Sequence, residues 1–329
     1  MASRHSVLVT GGAGFIGSHV VDCLVAQGRE VVVLDDFNDY YDPALKRANI
    51  APHVEARRIK LYEGDIRNAP LCEKIVRDHG VDVIVHLAAR AGVRHSLRFP
   101  VLYEDVNCRG TLNLLEAARK HRVEHFVFAS SSSVYGGSQQ IPFREDDPVM
   151  YPVSPYAATK RAGELYCHTY YHLYRLPCIC LRFFTVYGPR GRPEMAIYKF
   201  ARLIDLGKPI PVYGDGSSKR DYTFISDIVD GVMAAVDVQV GYEIVNLGES
   251  RLVPLSYMIA LLEQELGKKA IVDYQPEQPG DVRVTYADIS KARRLLGYNP
   301  SFPIEKGIKV FIEWYREHGQ RDARGLEAE

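Results

Sequence analysis

The chain has 329 residues, which is enough to bury a large core as one big α/β domain or as two interlocked ones. Its 41 basic and 41 acidic residues leave no net charge, and this balance argues against a nucleic-acid or membrane-surface protein, which would show a basic excess or stripe. Apolar runs fall short of the ~20 residues that a membrane-spanning helix needs. The six cysteines form no C-x-x-C pair and the eleven histidines no H-E-x-x-H motif, so we predict a reduced, cytoplasmic protein that holds no metal.

The first half of the chain alternates short apolar runs with helical patterns. The predicted strands are SVLVT, EVVVLD, RIKLYEGD, VDVIVHLAA and EHFVFASSS, and helix-length segments such as Phe15 to Gln27 and Val101 to Lys120 separate them. Because these strands carry Val, Ile and Phe on both faces, they indicate a parallel sheet that helices cover on both sides. The expected fold class is α/β, with a Rossmann-type doubly wound parallel sheet and a smaller C-terminal substrate domain.

The character of the chain changes after the apolar run LPCICLRFF. Glycine and proline become frequent between Gly188 and Gly216, and the elements shorten. We therefore predict a first domain over residues 1–184 and a smaller second domain over residues 185–329. The helix predicted at Ser226 to Val236 and the strand YEIVNL are expected to return to the large sheet, so that residues 226–247 belong with the first domain.

A glycine-rich stretch, VTGGAGFIGSHVV, completes the first strand and opens a helix. Gly11 permits the tight turn, Gly14 lets backbone amides approach a pyrophosphate, and Gly17 lets the helix pack closely on the sheet. Asp35, at the end of the next strand, is placed to accept hydrogen bonds from both hydroxyls of a ribose. No arginine follows it closely in DDFND, and a 2′-phosphate would meet carboxylates there. The pattern predicts NAD rather than NADP, with the pyrophosphate on the helix N-terminus.

The serine run Ser130–Ser133 ends the fifth strand, at the edge where open α/β sheets bind their ligands. Further along, SPYAATK places Tyr156 and Lys160 four residues apart on one helical face. The ammonium group, together with the positive nicotinamide of NAD⁺, is expected to lower the pKa of the Tyr156 phenol. Tyr156 could then take a proton from a sugar hydroxyl while hydride leaves the same carbon for NAD, and a serine of the run would share that proton.

Eight motifs in order make the chain resemble the extended short-chain dehydrogenase/reductases, in their nucleotide-sugar epimerase/dehydratase branch, over nearly its whole length. They are TGGAGFIG, GDIRN, HLAA, NCRGTLNLLE, SSSSVYG, SPYAATK, RFFTVYGP and KRDYTFISDIVDGV. The resemblance implies a triad of Ser131, Tyr156 and Lys160, with Ser132 or Ser133 as neighbours in the sugar site. It also implies that NAD is bound by Gly11, Gly14, Phe15, Ile16, Gly17, Asp35, Asp65, Ile66, Leu87, Ala88, Ala89, Asn107, Tyr156 and Lys160.

The same resemblance implies a UDP-sugar in the cleft toward the second domain. Arg220 corresponds to the arginine that binds the pyrophosphate, Tyr213 to the aromatic residue that stacks on uracil, and Asp281 to a residue that contacts the uridine ribose. One position departs from the pattern, because UDP-galactose epimerases carry a second basic residue just before the Gly-Asp pair and this chain has Gln278 there. The candidates to replace that base are Arg283 and Lys199.

Three chemistries share this fold and triad. A dehydratase needs an Asp/Glu pair just after the hydroxyl residue, and decarboxylases of the branch carry a Glu there, whereas this chain has Ser132 and Ser133. Epimerisation needs only removal of hydride, rotation of the keto-sugar and return of hydride, so the sequence favours an epimerase. A nucleotide-sensing binding protein that has lost the chemistry is the alternative from another class, and the intact triad argues against it.

The run RFFTVYGPRGRPEMA resembles UDP-glucuronic acid 4-epimerases, whose substrate carries a carboxylate at C6, and galactose-type epimerases usually have Asn in place of Thr185. The resemblance implies that Thr185 and Arg192 hold this carboxylate while UDP-glucuronate and UDP-galacturonate interconvert, and Arg190 is expected to face solvent or a phosphate. A UDP-glucose/UDP-galactose 4-epimerase and a UDP-glucuronate decarboxylase are the alternatives. Helices over 101–120 and 157–173 are expected to form a four-helix homodimer interface, as in the family.

Overall fold

The computed structural model describes residues 6–278, 280 and 282–319, and its strands and helices alternate regularly over the first half of the chain. The strands are β1 (Ser6–Thr10), β2 (Glu30–Asp35), β3 (Ile59–Glu63), β4 (Val83–His86), β5 (His125–Ser131), β6 (Cys178–Phe183), β7 (Thr185–Tyr187), β8 (Pro209–Tyr213), β9 (Lys219–Arg220), β10 (Tyr222–Phe224), β11 (Tyr242–Leu247), β12 (Val253–Pro254) and β13 (Ile271–Gln275). The helices are α1 (Phe15–Ala26), α2 (Pro43–Glu55), α3 (Ala69–Asp78), α4 (Val93–Arg98), α5 (Pro100–Tyr103), α6 (Gly110–Lys120), α7 (Pro155–Tyr174), α8 (Ala196–Asp205), α9 (Ile225–Asp237), α10 (Leu255–Leu266), α11 (Ser290–Leu296) and α12 (Ile304–His318).

Seven of these strands form a parallel sheet in the order β3-β2-β1-β4-β5-β6-β11. Val7 and Val9 belong to the core on one face of the sheet and Leu8 to the core on the other, because successive side chains of a strand face opposite sides. All three are fully buried. Helices α1 and α9 contribute to the first core, and α3, α6 and α7 to the second. The predicted doubly wound α/β fold is confirmed.

The strand order reverses between β1 and β4, which leaves a crevice at the carboxyl ends of these two strands. Thr10 ends β1 and His86 ends β4, and a 2.8 Å hydrogen bond between the Thr10 hydroxyl and the His86 ring joins them. The glycine-rich turn, the loop after β4 and the serine run all leave the sheet at this edge. The sheet therefore brings together the sequence motifs on which the functional predictions depend.

The helix predicted over Val101 to Lys120 is interrupted in the structure. A π-helical turn, Glu104–Arg109, separates α5 from α6. The Asn107 side chain lies in this turn and hydrogen-bonds the Arg90 backbone and the Thr159 hydroxyl. These contacts fix the wide turn against the loop after β4, and an apolar periodicity does not reveal them.

The second half of the chain forms three small two-stranded sheets. Strands β7 and β10 pair in parallel, as do β8 and β13, while β9 and β12 pair antiparallel. Helices α8, α10 and α12 pack in this region. In contrast, β11 lies beside β6 at the edge of the large sheet, and α9 packs on α1. The division into two domains with a boundary at residue 185 stays a prediction.

Two features of residues 6–278, 280 and 282–319 concern membrane-spanning helices and metal sites. None of their helices is both long and apolar enough to cross a membrane. Over the same residues, His, Cys, Asp and Glu side chains form no group of three or more that could hold a metal ion.

A buried ion pair fixes α7 to the sheet. The Glu164 carboxylate on α7 accepts hydrogen bonds from the Arg182 guanidinium on β6 at 2.8 and 3.0 Å, and from the Ser130 hydroxyl on β5 at 2.6 Å. The two charged side chains are 0% and 1% exposed. Burial alone would raise the pKa of Glu164, but Arg182 outweighs this effect and holds the pKa below its ordinary value of 4.5. Because α7 also carries Tyr156 and Lys160, the pair positions the helix of the predicted triad.

Replacing Arg182 by Met removes the main partner of the buried Glu164 carboxylate. We expect the free energy of unfolding at pH 7 to fall by about 3–5 kcal/mol, the usual cost of breaking a buried ion pair. Urea denaturation followed by circular dichroism measures the loss. Arg47→Met is the matched control, because the Arg47–Glu63 pair is 52% and 56% exposed and water screens such a pair, so that its loss should change stability little. Equal losses in the two variants would contradict the role given to the buried pair.

Candidate active site

The glycine-rich turn between β1 and α1 leaves no room for a side chain at Gly11 or Gly17. Gly11 has a φ of +69°, and a Cβ there would lie 2.8 Å from the Ala88 backbone nitrogen. A Cβ on Gly17 would come within 2.1 Å of the Gly11 carbonyl oxygen. Helix α1 begins at Phe15, and among the described residues no side chain caps its N-terminus at Gly14. The backbone N–H groups at this end are therefore placed to receive an anion such as a pyrophosphate.

Asp35, at the end of β2, is held by the backbone around it. Its carboxylate accepts hydrogen bonds from the N–H groups of Ala13 at 3.0 Å and Phe37 at 2.9 Å. Burial raises the pKa of Asp35 above its ordinary value of 3.8, although both N–H groups and the charge of Lys46 act in the opposite direction. Lys46 comes from α2, is buried, and donates to the Asn38 carbonyl at 2.8 Å. Sequence reasoning missed this lysine, because only the folded loop brings it back to Asp35.

Other residues predicted to bind a dinucleotide surround the same crevice. The Asp65 carboxylate accepts hydrogen bonds from the Arg67 guanidinium, the shortest at 2.6 Å. Asn107 is 3% exposed, and its side chain donates to the Arg90 carbonyl at 3.0 Å and accepts from the Arg90 N–H at 2.8 Å. Asn107 thus holds the loop that lines the crevice. The remaining predicted residues are half-buried or buried here, and they are Ile16, Ile66, Leu87, Ala88 and Ala89.

Helix α7 begins in a way that places Tyr156 in its first turn. The Ser154 hydroxyl caps the helix by accepting from the Ala157 N–H at 3.2 Å, and Pro155 occupies the first helical position. Lys160 follows Tyr156 by one turn and is therefore on the same face of the helix. This face lies against the carboxyl end of β5.

The structure brings the three residues of the predicted triad together. The Ser131 hydroxyl lies close enough to the Tyr156 phenol to lower its pKa. Lys160 Nζ donates to the Ala129 carbonyl at 2.7 Å and lies 6.0 Å from the centre of the Tyr156 ring. The Ser131 hydroxyl also contacts the Ser133 hydroxyl at 3.1 Å. A hydroxyl, a phenol and an ammonium group thus converge at the carboxyl edge of the sheet.

The neighbouring serines occupy different positions. The Ser130 hydroxyl is buried and donates to Glu164, so it belongs to the packing of α7 on the sheet. Ser132 and Ser133 begin a short 3₁₀ turn and are half-buried or buried beside Ser131. Ser131 is therefore a direct partner of Tyr156, and Ser132 and Ser133 are its neighbours.

The pKa of Tyr156 is set by burial and by two neighbours. Burial raises it above the ordinary value of 10, while the hydrogen bond from Ser131 and the positive charge of Arg192 lower it. Burial also lowers the pKa of Lys160 to about 8. In this structure the Lys160 ammonium group donates to a backbone carbonyl, and the lowering of the Tyr156 pKa by Lys160 stays a prediction. The cation that acts on the phenol is Arg192.

The loop after β7 brings Arg192 to the triad. Its turn is closed by a hydrogen bond from the Gly191 N–H to the Gly188 carbonyl at 3.1 Å. Arg192 pairs with Glu194 at 3.0 Å, and its Nη2 lies 3.2 Å from the Met195 sulfur. Burial alone would lower the pKa of Arg192, but Glu194 and neighbouring phenols raise it above its ordinary value. The tyrosines within reach of its charge are Tyr40, Tyr41 and Tyr156.

Thr185 and Arg190 flank this loop in different ways. Thr185 opens β7, is half-buried, and its N–H donates to the Asp221 carbonyl at 3.1 Å. Arg190 has a φ of +62° and pairs with Asp22 of α1 at 2.8 Å. The expectation that Arg190 faces solvent or a phosphate is therefore wrong, because a carboxylate of the neighbouring helix already neutralises its charge.

The residues predicted to bind the nucleotide half of a substrate lie on β8 and β9. Tyr213 ends β8, and the Arg94 guanidinium lies over its ring, 4.2 Å from the ring centre. Arg220, on β9, donates to two backbone carbonyls at 3.1 Å, one of them that of Arg283. Asp281 lies outside the described residues.

Sequence reasoning missed several residues near these sites, namely Tyr40, Tyr41, Arg94 and Glu194. A signal was present for the first three, because Tyr40 and Tyr41 follow β2 and Arg94 follows the loop after β4. Segments that leave a parallel sheet at the carboxyl ends of its strands are expected to line its ligand site. Glu194 carried no such signal, and only the fold of the loop shows its pairing with Arg192.

Comparisons with known proteins agree with this geometry. A family model described as GDP-mannose 4,6 dehydratase matches residues 8–311. The UDP-glucuronate 4-epimerase of Thermodesulfobacterium geofontis is 45% identical over 312 residues, which cover 94% of this chain and 96% of that protein. The structure of a Bacillus cereus UDP-glucuronic acid 4-epimerase in complex with UDP-glucuronic acid and NAD matches with a TM-score of 0.89 at 35% identity, covering 95% of this chain and 99% of that one. The Thermus thermophilus UDP-glucose 4-epimerase in complex with NAD matches with a TM-score of 0.87 at 33% identity and the same coverage.

These matches span nearly the whole chain and include the glycine-rich turn, the triad and the loop that carries Arg192. The chain therefore belongs to the GDP-mannose 4,6 dehydratase family, within the nucleotide-sugar epimerase/dehydratase branch of the extended short-chain dehydrogenase/reductases.

Proposed function

We propose that this protein is an NAD-dependent UDP-glucuronate 4-epimerase, which interconverts UDP-glucuronate and UDP-galacturonate. The observation that carries the proposal is Arg192, a half-buried guanidinium on the loop after β7 that already binds the Glu194 carboxylate at 3.0 Å and whose charge reaches the Tyr156 phenol. In the substrate, only C5 lies between C4, which carries the reacting hydroxyl, and C6, which is the carboxylate carbon. A UDP-glucuronate that presents C4 to Tyr156 therefore also presents its carboxylate to a cation nearby. The relative from Thermodesulfobacterium geofontis and the Bacillus cereus structure support this assignment.

The residues around the crevice between β1 and β4 fit NAD. Gly11 and Gly17 leave space for the backbone to approach a pyrophosphate, and the N-terminus of α1 favours its charge. Asp35 offers a buried carboxylate to a ribose diol, whereas the 2′-phosphate of NADP would meet a like charge. When bound there, NAD⁺ would supply the hydride acceptor and donor for C4, and its positive charge would favour the ionised phenol.

Tyr156 moves the proton in this proposal. The phenolate takes the proton of the C4 hydroxyl as hydride leaves C4, and the phenol returns it when hydride comes back. In this proposal Ser131, beside the phenol, orients the alcohol, while Lys160 serves the cofactor ribose because it lies one turn away at the same edge. The same three groups serve both directions, as an epimerase requires.

Arg192 and Thr185 hold the carboxylate of the substrate. In the structure the Arg192 guanidinium pairs with the Glu194 carboxylate. The substrate carboxylate would either replace Glu194 on this guanidinium or bind beside it. Oxidation at C4 makes a β-keto acid, which loses CO₂ when the bond from C5 to the carboxylate carbon aligns with the carbonyl π system. A two-point contact with Arg192 keeps this bond near the ring plane and protects the intermediate.

Two alternative activities fit the Arg192 pocket less well. A UDP-glucose/UDP-galactose 4-epimerase needs no cation beside the triad, because its sugar carries a neutral C6 hydroxyl. A UDP-glucuronate decarboxylase must release the carboxylate, and decarboxylases of this branch place a Glu where this chain has Ser132. A cation whose charge reaches Tyr156 therefore favours the epimerase of the acid.

We also propose that the protein works in the cytoplasm as a homodimer. Apolar side chains are exposed on α5 and along α7, which pack beside each other. Val101 is 79% exposed, Leu173 59% and Leu165 50%. Burying such a surface against a second copy would remove apolar area from water, and two helices from each subunit would form a four-helix interface. The six free thiols agree with a reducing compartment.

Replacing Tyr156 by Phe removes the proton-carrying hydroxyl but keeps the ring. Turnover of UDP-glucuronate is expected to fall by roughly a hundredfold or more, because a positioned acid/base group commonly contributes that much. Product formation is followed by chromatography and mass spectrometry, and a titration with UDP should show that nucleotide binding survives. Turnover near that of the wild type would rule out the proposed role of the phenol.

Replacing Arg192 by Ala tests the choice of substrate. The variant should bind UDP-glucuronate roughly 10- to 100-fold more weakly, because a charge-assisted two-point contact is lost, and UDP-glucose should be affected far less. The share of UDP-pentose among the products, measured by mass spectrometry, should rise. Arg316→Ala is the control, since Arg316 lies on α12 and donates to the Glu265 carbonyl of α10. If the wild-type protein epimerises UDP-glucose as well as UDP-glucuronate, the proposed substrate is wrong and the protein is a galactose-type epimerase.

The dimer proposal predicts a change of mass in solution. Sedimentation velocity at low micromolar concentration should show a dimer for the wild type and a monomer for Leu165→Glu, because a charge on α7 would be buried without a partner. Ile271→Glu, on β13, is the control, as Ile271 is 54% exposed outside these helices. A wild type that sediments only as a monomer would exclude the homodimer.

A further inference from the structure

The predicted UDP site contains fewer basic residues than a pyrophosphate calls for. Arg220 corresponds to one pyrophosphate-binding residue, but the position of the second is occupied by Gln278, a neutral amide. The Gln278 amide donates a long hydrogen bond, 3.5 Å, to the Pro276 carbonyl. A doubly negative group enclosed in a cleft requires compensation by positive charge. Another side chain therefore has to supply the second charge.

The two substitutes suggested by the sequence are not equally placed. The Arg283 guanidinium pairs with Glu277 at 2.7 Å, and both side chains are mostly exposed, at 75% and 62%. Its charge is thus already directed at a carboxylate on the surface. Lys199 is half-buried on α8. It stays a candidate for the second pyrophosphate-binding residue, so its Ala variant has to be compared with that of any other candidate.

We infer that Arg94 is the second residue that binds the pyrophosphate. It lies on α4, which follows the loop after β4 of the large sheet, yet its guanidinium is 4.2 Å from the centre of the Tyr213 ring on β8. Arg94 therefore reaches across the predicted nucleotide cleft. In addition, a Cβ on Gly280 would lie 3.0 Å from Val93 Cγ1. Helix α4 thus packs against the loop that contains Gln278, next to the place where the second base is missing.

The surroundings of Arg94 also place it between the two ends of the substrate. On one side is Tyr213, the residue predicted to stack on uracil. On the other side, the neighbouring His95 contacts the Tyr103 hydroxyl at 3.1 Å, and the Tyr103 ring packs edge-on against Tyr156, 6.2 Å between centres. The pyrophosphate of a UDP-sugar is the part that joins uridine to the sugar. A side chain between the uracil residue and the triad therefore faces the phosphates.

Arginine suits this place for a chemical reason. Its planar guanidinium can stack on an aromatic ring while the N–H groups at its edge donate to phosphate oxygens, which lysine cannot do in the same way. The inference rests on the proposed function for the UDP part of the substrate. It does not depend on the identity of the sugar, because the contact is to the phosphates alone.

The test measures binding of UDP and of uridine to the full-length, NAD-loaded protein by isothermal titration calorimetry. If uridine binds too weakly for direct titration, its affinity is obtained from its competition with UDP. Arg94→Ala should weaken UDP by roughly 10- to 100-fold and leave uridine unchanged, because uridine has no phosphate. Arg94→Lys should recover part of the UDP affinity by restoring the charge. Arg98→Ala, one turn further along the same helix, should bind UDP like the wild type.

Three results would overturn the inference. The first is unchanged UDP binding in Arg94→Ala, and the second is an equal loss of UDP and uridine affinity in that variant. The third is a loss of UDP affinity in Lys199→Ala or Arg283→Ala but not in Arg94→Ala. The thermal midpoints of the variants show whether folding is intact. A protein that binds UDP through Arg94 but does not epimerise UDP-glucuronate would contradict the proposed function and leave this inference standing.

Discussion

One buried carboxylate positions the reactive residues of this protein. Glu164 lies on α7, one turn after Lys160 and two turns after Tyr156, and it is bonded to side chains of both β5 and β6. The adjacent Gly163 allows the close approach, since a Cβ there would lie 2.2 Å from the Phe128 ring. A carboxylate in such surroundings is tolerated only with its partners in place. The register of α7 on the sheet, and with it the distance from the phenol to the serine, follows from this requirement.

The groups proposed to recognise the substrate are held differently. Tyr156 and the glycine-rich turn are attached to the central sheet, whereas Arg192 and Arg94 lie on a loop and a short helix that leave it. The chemistry of the 4-keto-sugar is common to the family and requires a fixed geometry. The choice of sugar depends on a few side chains in segments whose sequence can change without disturbing the core. This separation explains how one fold can accept different sugars.

Much of the architecture could be predicted from local sequence patterns. The bounds of β1 and β2 match the predicted strands, because short runs of Val and Leu between a polar residue and a turn have little freedom in where they begin and end. The π-helical turn around Asn107 could not be predicted, since it depends on contacts with Arg90 and Thr159, which are distant in sequence. Likewise, the spacing of Tyr156 and Lys160 indicated a shared face but not the direction of the ammonium group. Through-space contacts decide both features.

The pairing of Arg190 with Asp22 has a consequence for the order of events in catalysis. Asp22 belongs to α1, the helix whose N-terminus faces the cofactor, and Arg190 is two residues before Arg192. The same loop and helix are joined again by a 3.0 Å hydrogen bond between the His19 ring and the Pro189 carbonyl. The loop that carries Arg192 is therefore fastened to the helix at the proposed cofactor site. Ordering of α1 by the dinucleotide would also order this loop, so that a resident cofactor prepares the site for each incoming sugar acid and release of one sugar need not release the other ligand.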